Sequence, residues 1–244
     1  MKFLNKPILL IVLVLMAFVQ LSVAKTLKLN DTLEFKAKLI HSEKFNCKMK
    51  NWKVEQMPGG KVFINNKNME IDDAAGCTVW YTKKLSGPIM IEYDAFVIKN
   101  GGVNDRVSDL NCFWMANDPD YPTDLFRKSD FRGGKFPNYD YLKLYYVGLG
   151  GHNNTKTRFR RYEGGGERPI LPEYDLSAQE FLITPNVTYR IRLVAYDGFI
   201  QYYRNNKLIF TFVDTDAYTS GYFGIRTVNN HMTIDNLKIY QLKN

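Results

Sequence analysis

Apolar and polar residues alternate along most of this chain with a period of two. KVFINN, CTVWYTKKL, IMIEYDAFVI, NCFWMA, YLKLYYVG, TKTRFRRY, TYRIRLVAY, FIQYYRNNKLIFTFVD, GYFGIRT and DNLKIYQL read as strands, because successive side chains on a pleated backbone point to opposite faces. Runs this short, rich in Tyr, Phe, Ile and Val and separated by Gly, Asn and Asp, predict an all-β sandwich or jelly roll of antiparallel sheets. Asn205 and Asn206 are expected to turn a hairpin between Arg204 and Lys207, since Asn tolerates left-handed backbone. In IMIEYDAFV the pattern sends Ile89, Ile91, Tyr93 and Ala95 to the core and Glu92 and Asp94 outward. Residues 119–129 and 174–181 break the alternation and are expected to be irregular or briefly helical loops over the working face.

The N-terminus has a different pattern. Lys2 and Lys6 precede an apolar run over 7–19, and Ser22, Val23 and Ala24 offer small residues for cleavage. Residues 1–24 therefore read as an export signal, which implies a periplasmic or secreted protein. No later apolar run reaches the roughly eighteen residues of a spanning helix, so stable membrane insertion is not expected. Residues 25–244 carry no linker composition and no repeat, and read as a single domain.

Without Lys2 and Lys6 of the expected leader the net charge of +8 falls to +6, and the positive residues lie among aromatics in the strand segments, not in blocks. That interleaving favours an acidic, ring-shaped ligand over nucleic acid, which an export signal also disfavours. Cys47, Cys77 and Cys112 show no CxxC spacing, so neither a zinc site nor a dense disulfide framework is expected. Cys112 reads as a small core hydrophobe, and a Cys47 to Cys77 bridge is compatible with an oxidising compartment. Asp72, Asp73, Asp105, Asp109, Asp214 and Asp216 have no calcium-loop spacing. No metal or cofactor is assigned, and the oligomeric state is left open.

Candidate chemistry concentrates in residues 139–162, YDYLKLYYVGLGGHNNTKTRFRRY, which holds one of the three histidines. Two strands flank a glycine turn, with His152 in the turn and Lys156, Arg158, Arg160 and Tyr162 on one face of the second strand. Arginines in such a row can fork a carboxylate, and His or Tyr can move a proton near neutral pH. Tyr145 and Tyr146 point to opposite faces, one toward the core, with Tyr146 favoured for chemistry. Arg161 can equally pair with a loop acid.

Other chemistries lose support in turn. The E-x-D-x-x-E arrangement of sandwich glycosidases lacks its third acid, since Phe96 and Val97 stand where it would fall. No G-x-S-x-G turn, P-loop or dinucleotide fingerprint occurs, and Gly164, Gly165 and Gly166 read as a loop. What remains is elimination from a uronic acid, in which the carboxylate must be neutralised while a base takes the C5 proton and an acid assists the C4 oxygen.

The catalytic candidates are His152, Tyr146, Arg158 and Arg160. The substrate-binding candidates are Asn111, Trp114, Lys143, Asn153, Tyr222 and Arg226. Trp114 and Tyr222 could stack on sugar rings, with a core position the alternative for Trp114. Arg106 and Asn111 are placed to reach the groove from a loop, and Arg226 lies opposite the core-facing Phe223 and Ile225. If the group leaving C4 is a sugar the reaction is that of a lyase, and if it is a hydroxyl, that of a dehydratase. A non-catalytic carbohydrate-binding module would use the same aromatics.

The succession VWYTKKLSGPIMIEYDAF, LNCFWMANDPDYPTDLF, YDYLKLYYVGLGGHNNTKTRFRRY, RPILPEYDL and YFGIRT resembles an uncharacterised bacterial family of concanavalin A-like jelly-roll proteins, over roughly residues 45–242. The resemblance implies a role in degrading acidic polysaccharides, and the family is similar to dehydratases that form unsaturated uronates from ulvan oligosaccharides. It implies an acidic oligosaccharide as partner and supplies no catalytic residues.

Overall fold

The computed structural model of the chain describes residues 25–28, 34–46 and 48–243. The expected leader and Cys47 lie outside the described residues. Two antiparallel sheets face each other, as the alternation predicted. The first runs in the order Lys25–Lys28, Glu34–Glu43, Asn230–Lys243, Ile89–Val97, Thr188–Tyr196, Phe199–Arg204 and Lys207–Val213, with the hairpin Lys61–Asn65 and Asn68–Asp73 paired onto Asn230–Lys243. The second runs Asp175–Leu176, Lys156–Glu163, Lys143–Gly150, Leu110–Asn117, Ser220–Thr227, Cys77–Tyr81 and Trp52–Gln56.

The space between the sheets is filled by the inward half of each alternating strand. Ile89, Ile91, Tyr93 and Ala95 are buried there with Val79, Trp114, Tyr145, Phe159, Phe223 and Ile225. Each large apolar side chain removed from water contributes about 1.5–3 kcal/mol before entropy is counted. Glu92 and Asp94 point outward and pair with Arg192 and Arg190 on the neighbouring strand. Asn205 and Asn206 turn the expected hairpin at φ of 51° and 64°. Cys77 and Cys112 are buried free thiols, and burial lifts the Cys112 thiol to about 12.

One irregularity decides which residues face outward on the second sheet. Met115 has φ of 53°, and the pairing with Ser220–Thr227 slips between Tyr222 and Gly224. The resulting bulge places Trp114 and Met115 together in the sandwich core, whereas Phe113 and Ala116 lie on the outer face.

That outer face is covered. Residues 118–142 fold over it through the 3₁₀ turn Leu125–Lys128, the helical turn Ser129–Arg132 and the 3₁₀ turn Phe136–Tyr139. Leu125, Tyr139 and Leu142 bury themselves on Trp80, Phe113, Leu144, Tyr146, Tyr162 and Tyr222, a second apolar cluster outside the sandwich. A buried carboxylate fastens this cap: Glu55 accepts from Arg132 Nε at 3.1 Å and Nη2 at 2.6 Å, from Ser129 Oγ at 2.7 Å and from Tyr139 Oη at 2.6 Å. A buried charge with its hydrogen bonds filled in this way is tolerated, whereas one stripped of its partner is costly.

Candidate functional site

Strand register lays out two rows on the outer face beneath and beside the cap. One row runs Glu55, Thr78, Arg226, Asn111, Gly148 and Arg158, each opposite the next across a strand pair. The adjacent row runs Trp80, Gly224, Phe113, Tyr146 and Arg160. Five of the ten candidates, Tyr146, Asn111, Arg158, Arg160 and Arg226, therefore fall in these two rows.

Tyr145 and Tyr146 divide as alternation requires. Tyr145 points into the core and donates to Asp214 at 2.6 Å, and Arg161 Nε donates to the same carboxylate at 2.7 Å. Tyr146 points outward over Gly148, where a Cβ would collide with its hydroxyl. No hydrogen bond holds that hydroxyl among the described residues. Burial pushes the Tyr146 phenol well above its ordinary value, Tyr162 and Asp109 push the same way, and Arg226 and Arg160 offset part of the shift. At neutral pH Tyr146 therefore holds its proton, more firmly than an ordinary tyrosine.

The turn after Gly150 brings His152 to Arg158. His152 and Asn153 occupy left-handed backbone at φ of 52° and 58°, and both are exposed. Arg158 Nη1 meets His152 Nε2, and because a guanidinium only donates, that imidazole nitrogen carries the lone pair. The remaining edge of Arg158 forks Asp175, with Nε at 2.9 Å and Nη2 at 3.1 Å. Arg158 holds the Asp175 carboxyl below its usual range, so this fork is filled by the chain itself. Asn153 Oδ1 accepts from Arg106, and Arg160 donates to the carbonyls of Arg168 and Pro169.

Three expectations need correction. Trp114 is fully buried between the sheets, because the bulge at Met115 leaves its inward position intact, and it cannot stack on a sugar. Tyr222 is on the outer face but meets Phe126 of the cap edge-on at 5.1 Å, so its ring is already covered. Lys143 has the parity of Tyr145, opposite to Tyr146, and sits beside Asn117, Pro119 and Tyr218 at the other end of its strand from His152.

Several residues of the site were not singled out from sequence: Glu55, Thr78, Trp80, Arg132, Phe136 and Tyr139. No motif links them in sequence, and the glycine pair Gly133 and Gly134 lies beyond the segment 119–129 that was expected over the face. Gly134 is needed there because a Cβ would strike the backbone of Gly76 and Met57.

Beneath the cap, several polar atoms lack partners. Trp80 Nε1, Asn111 Oδ1, Tyr162 Oη, and Nε and Nη2 of Arg226 are buried and make no hydrogen bond. Buried polar groups are usually paired in proteins, so these atoms can take a hydrogen bond from a ligand or water. Among the described residues no three His, Cys, Asp or Glu side chains are placed to hold a metal, and no helix is long and apolar enough to cross a membrane.

Two antiparallel sheets with a capped polar and aromatic outer face define a jelly-roll protein of the galectin-like and concanavalin-like class. Residues 71–237 match the family described as Domain of unknown function (DUF6250), and the chain belongs to that family. Among solved structures it is similar to a protein of unknown function with galectin-like fold from Bacillus subtilis, at 16% identity and a TM-score of 0.66, covering 85% of this chain and 98% of that one. It is also similar to the carbohydrate binding module CBM66 from Bacillus subtilis, at 12% identity and a TM-score of 0.53, over 78% and 96% of the two chains. An endo-beta-1,3-glucanase from Pyrococcus furiosus matches at 12% identity and a TM-score of 0.56, over 89% and 98%. At these identities the likeness is one of fold. No curated protein sequence matches.

Proposed function

We propose that this protein is exported and performs β-elimination on uronate-containing oligosaccharides, as a dehydratase that forms a 4,5-unsaturated uronate at the non-reducing end of ulvan-type fragments. The observation that carries the reading is the Tyr146 hydroxyl, which has no hydrogen-bond partner among the described residues and is set among Arg160, Arg226, Tyr162 and Asn111. With His152 beside Arg158 in the turn of the same strand pair, they make up what elimination next to a carboxylate requires: cations to neutralise it, a base and an acid.

In this mechanism His152 accepts the C5 proton through the nitrogen that now faces Arg158. The C5–H electron pair becomes the C4–C5 double bond, the C4–O bond breaks, and Tyr146 protonates the departing hydroxyl, so that one water leaves. The carboxylate is held by guanidinium, which spreads the charge that builds on it when C5 loses its proton. A covered face fits a chain end better than a chain interior, which favours the dehydratase over a lyase of the same chemistry. That fold neighbours include a carbohydrate-binding module and a glucanase supports a saccharide ligand.

Purified protein mixed with ulvan, glucuronan or pectic oligosaccharides is expected to raise the ultraviolet absorbance of a conjugated uronate on at least one of them. No change over the whole panel would reject the reading. A second reading, a non-catalytic carbohydrate-binding module, is favoured by the engagement of His152 and Arg158 within the chain. It predicts saccharide binding that survives His152→Ala, with no product.

A further inference from the structure

Arginine side chains in this protein show a repeated use of one edge of the guanidinium. Nε and Nη2 together fork Asp175 from Arg158, Asp94 from Arg190 and Glu55 from Arg132. This edge presents two parallel N–H groups at the spacing of two carboxylate oxygens. The same edge of Arg226 has no hydrogen-bond partner among the described residues. The residue is 1% exposed, its Nη1 is spent on Thr78 Oγ1 at 2.9 Å and the Gly134 carbonyl at 3.0 Å, and Nε and Nη2 have no partner.

The guanidinium is also fixed in position. Its carbon lies 4.6 Å from the Phe136 ring centre and 4.8 Å from that of Tyr139, both on the cap. Stacking of this kind favours the cation and restrains its plane, yet supplies nothing to the in-plane N–H groups. Two donors of a buried cation left unbonded are costly, and a charge-assisted hydrogen bond is worth about 1.5–3 kcal/mol, so an acceptor that reaches this edge is stabilised there.

We infer that the Nε and Nη2 edge of Arg226 is a subsite for a ligand carboxylate. Asn111 stands directly opposite Arg226 in the row, with Oδ1 free to accept from a sugar hydroxyl beside that carboxylate. The row runs from half-buried Arg158, which exposed His152 meets, through Gly148, over which the Tyr146 hydroxyl lies, to Asn111 and Arg226. Arg226, and not Arg158, is then the arginine that forks the acid. That the carboxylate belongs to a uronate rests on the function proposed above; the fork itself does not.

The test is side-chain nitrogen NMR of the arginines in the intact protein, titrated with glucuronate and, separately, with glucose. Glucuronate is expected to shift one Nε–H resonance, glucose none, and that resonance is expected to be missing from Arg226→Lys. Arg226→Lys should weaken glucuronate binding about ten- to hundredfold, since a point charge cannot rebuild the fork. If that variant does not fold, the wild-type titration decides alone, with hydrogen exchange of residues 134–139 as the second reading, which glucuronate and not glucose should slow. An arginine spectrum unmoved by glucuronate, or glucuronate binding unchanged in folded Arg226→Lys, would overturn the subsite. Glucuronate bound at Arg226 with no unsaturated product from any oligosaccharide would leave the subsite standing and remove the elimination reading. Product formation with KM unaltered by Arg226→Lys would do the reverse.

Discussion

Tyr146 and Gly148 act as a unit, since the hydroxyl of one lies where the side chain of the other would be. Tyr146→Phe removes the proton donor and leaves the packing, so turnover should fall about a hundredfold to ten-thousandfold while the near-ultraviolet circular dichroism of the fold persists. Gly148→Ala should lower turnover in the same direction by pushing that hydroxyl aside, with Tyr146 itself untouched; wild-type turnover in folded Gly148→Ala would count against this placement. Glu55→Ala leaves Arg132 buried without its carboxylate, and urea unfolding should show a loss of about 3–5 kcal/mol. At this scale the sequence was informative where local alternation governs. Period two separated Tyr146 from Tyr145 and put Arg160 with Arg158. It failed for Tyr222, because the cap that covers that ring is remote in sequence and unrelated to its strand pattern. It could not join Glu55 to Arg132, 77 positions apart and without a motif.

His231, given no role from sequence, fastens one strand to a loop. Its Nδ1 meets Asp105 Oδ1 at 2.8 Å and its Nε2 meets Glu70 Oε1 at 2.8 Å. Burial alone would lower its pKa, but the hydrogen bonds of Glu70 and Asp105, with the nearby charge of Asp72, outweigh this and raise it. A raised folded-state value means that protonated His231 stabilises the fold fully below the unfolded pKa of about 6.5, and that this contribution disappears as pH rises through the folded value. Thermal unfolding of the wild type should therefore lose stability over that interval, and His231→Gln should flatten the loss; an unchanged pH profile in the variant would show that the clamp contributes nothing.

Among elements, the long runs of Tyr, Ile and Val announced their strands, whereas Glu34–Glu43 and Trp52–Gln56 did not. Both are rich in Lys and Glu and lie toward the edges of their sheets, where one side chain in two has no apolar face to meet. The cap was legible only as a break in alternation, because its turns are stabilised by the face beneath and not by their own helix propensity.

Across the molecule, the two faces of the sandwich take different roles. The outer face of the first sheet balances its charges strand against strand, Glu92 with Arg192 and Asp94 with Arg190, so the acids that suggested a glycosidase are consumed in structure. The second sheet gathers cations, phenols and unpaired polar atoms under a cap fastened by one buried carboxylate. The measurement that bears most directly on this division follows ultraviolet absorbance and product mass together, on uronate-terminated oligosaccharides of defined length. The account predicts rising absorbance and the loss of one water from each chain, with chain length unchanged. Saccharide binding with neither absorbance nor mass change would contradict it and leave a binding module, and shortening of the chains would replace terminal dehydration with lyase cleavage.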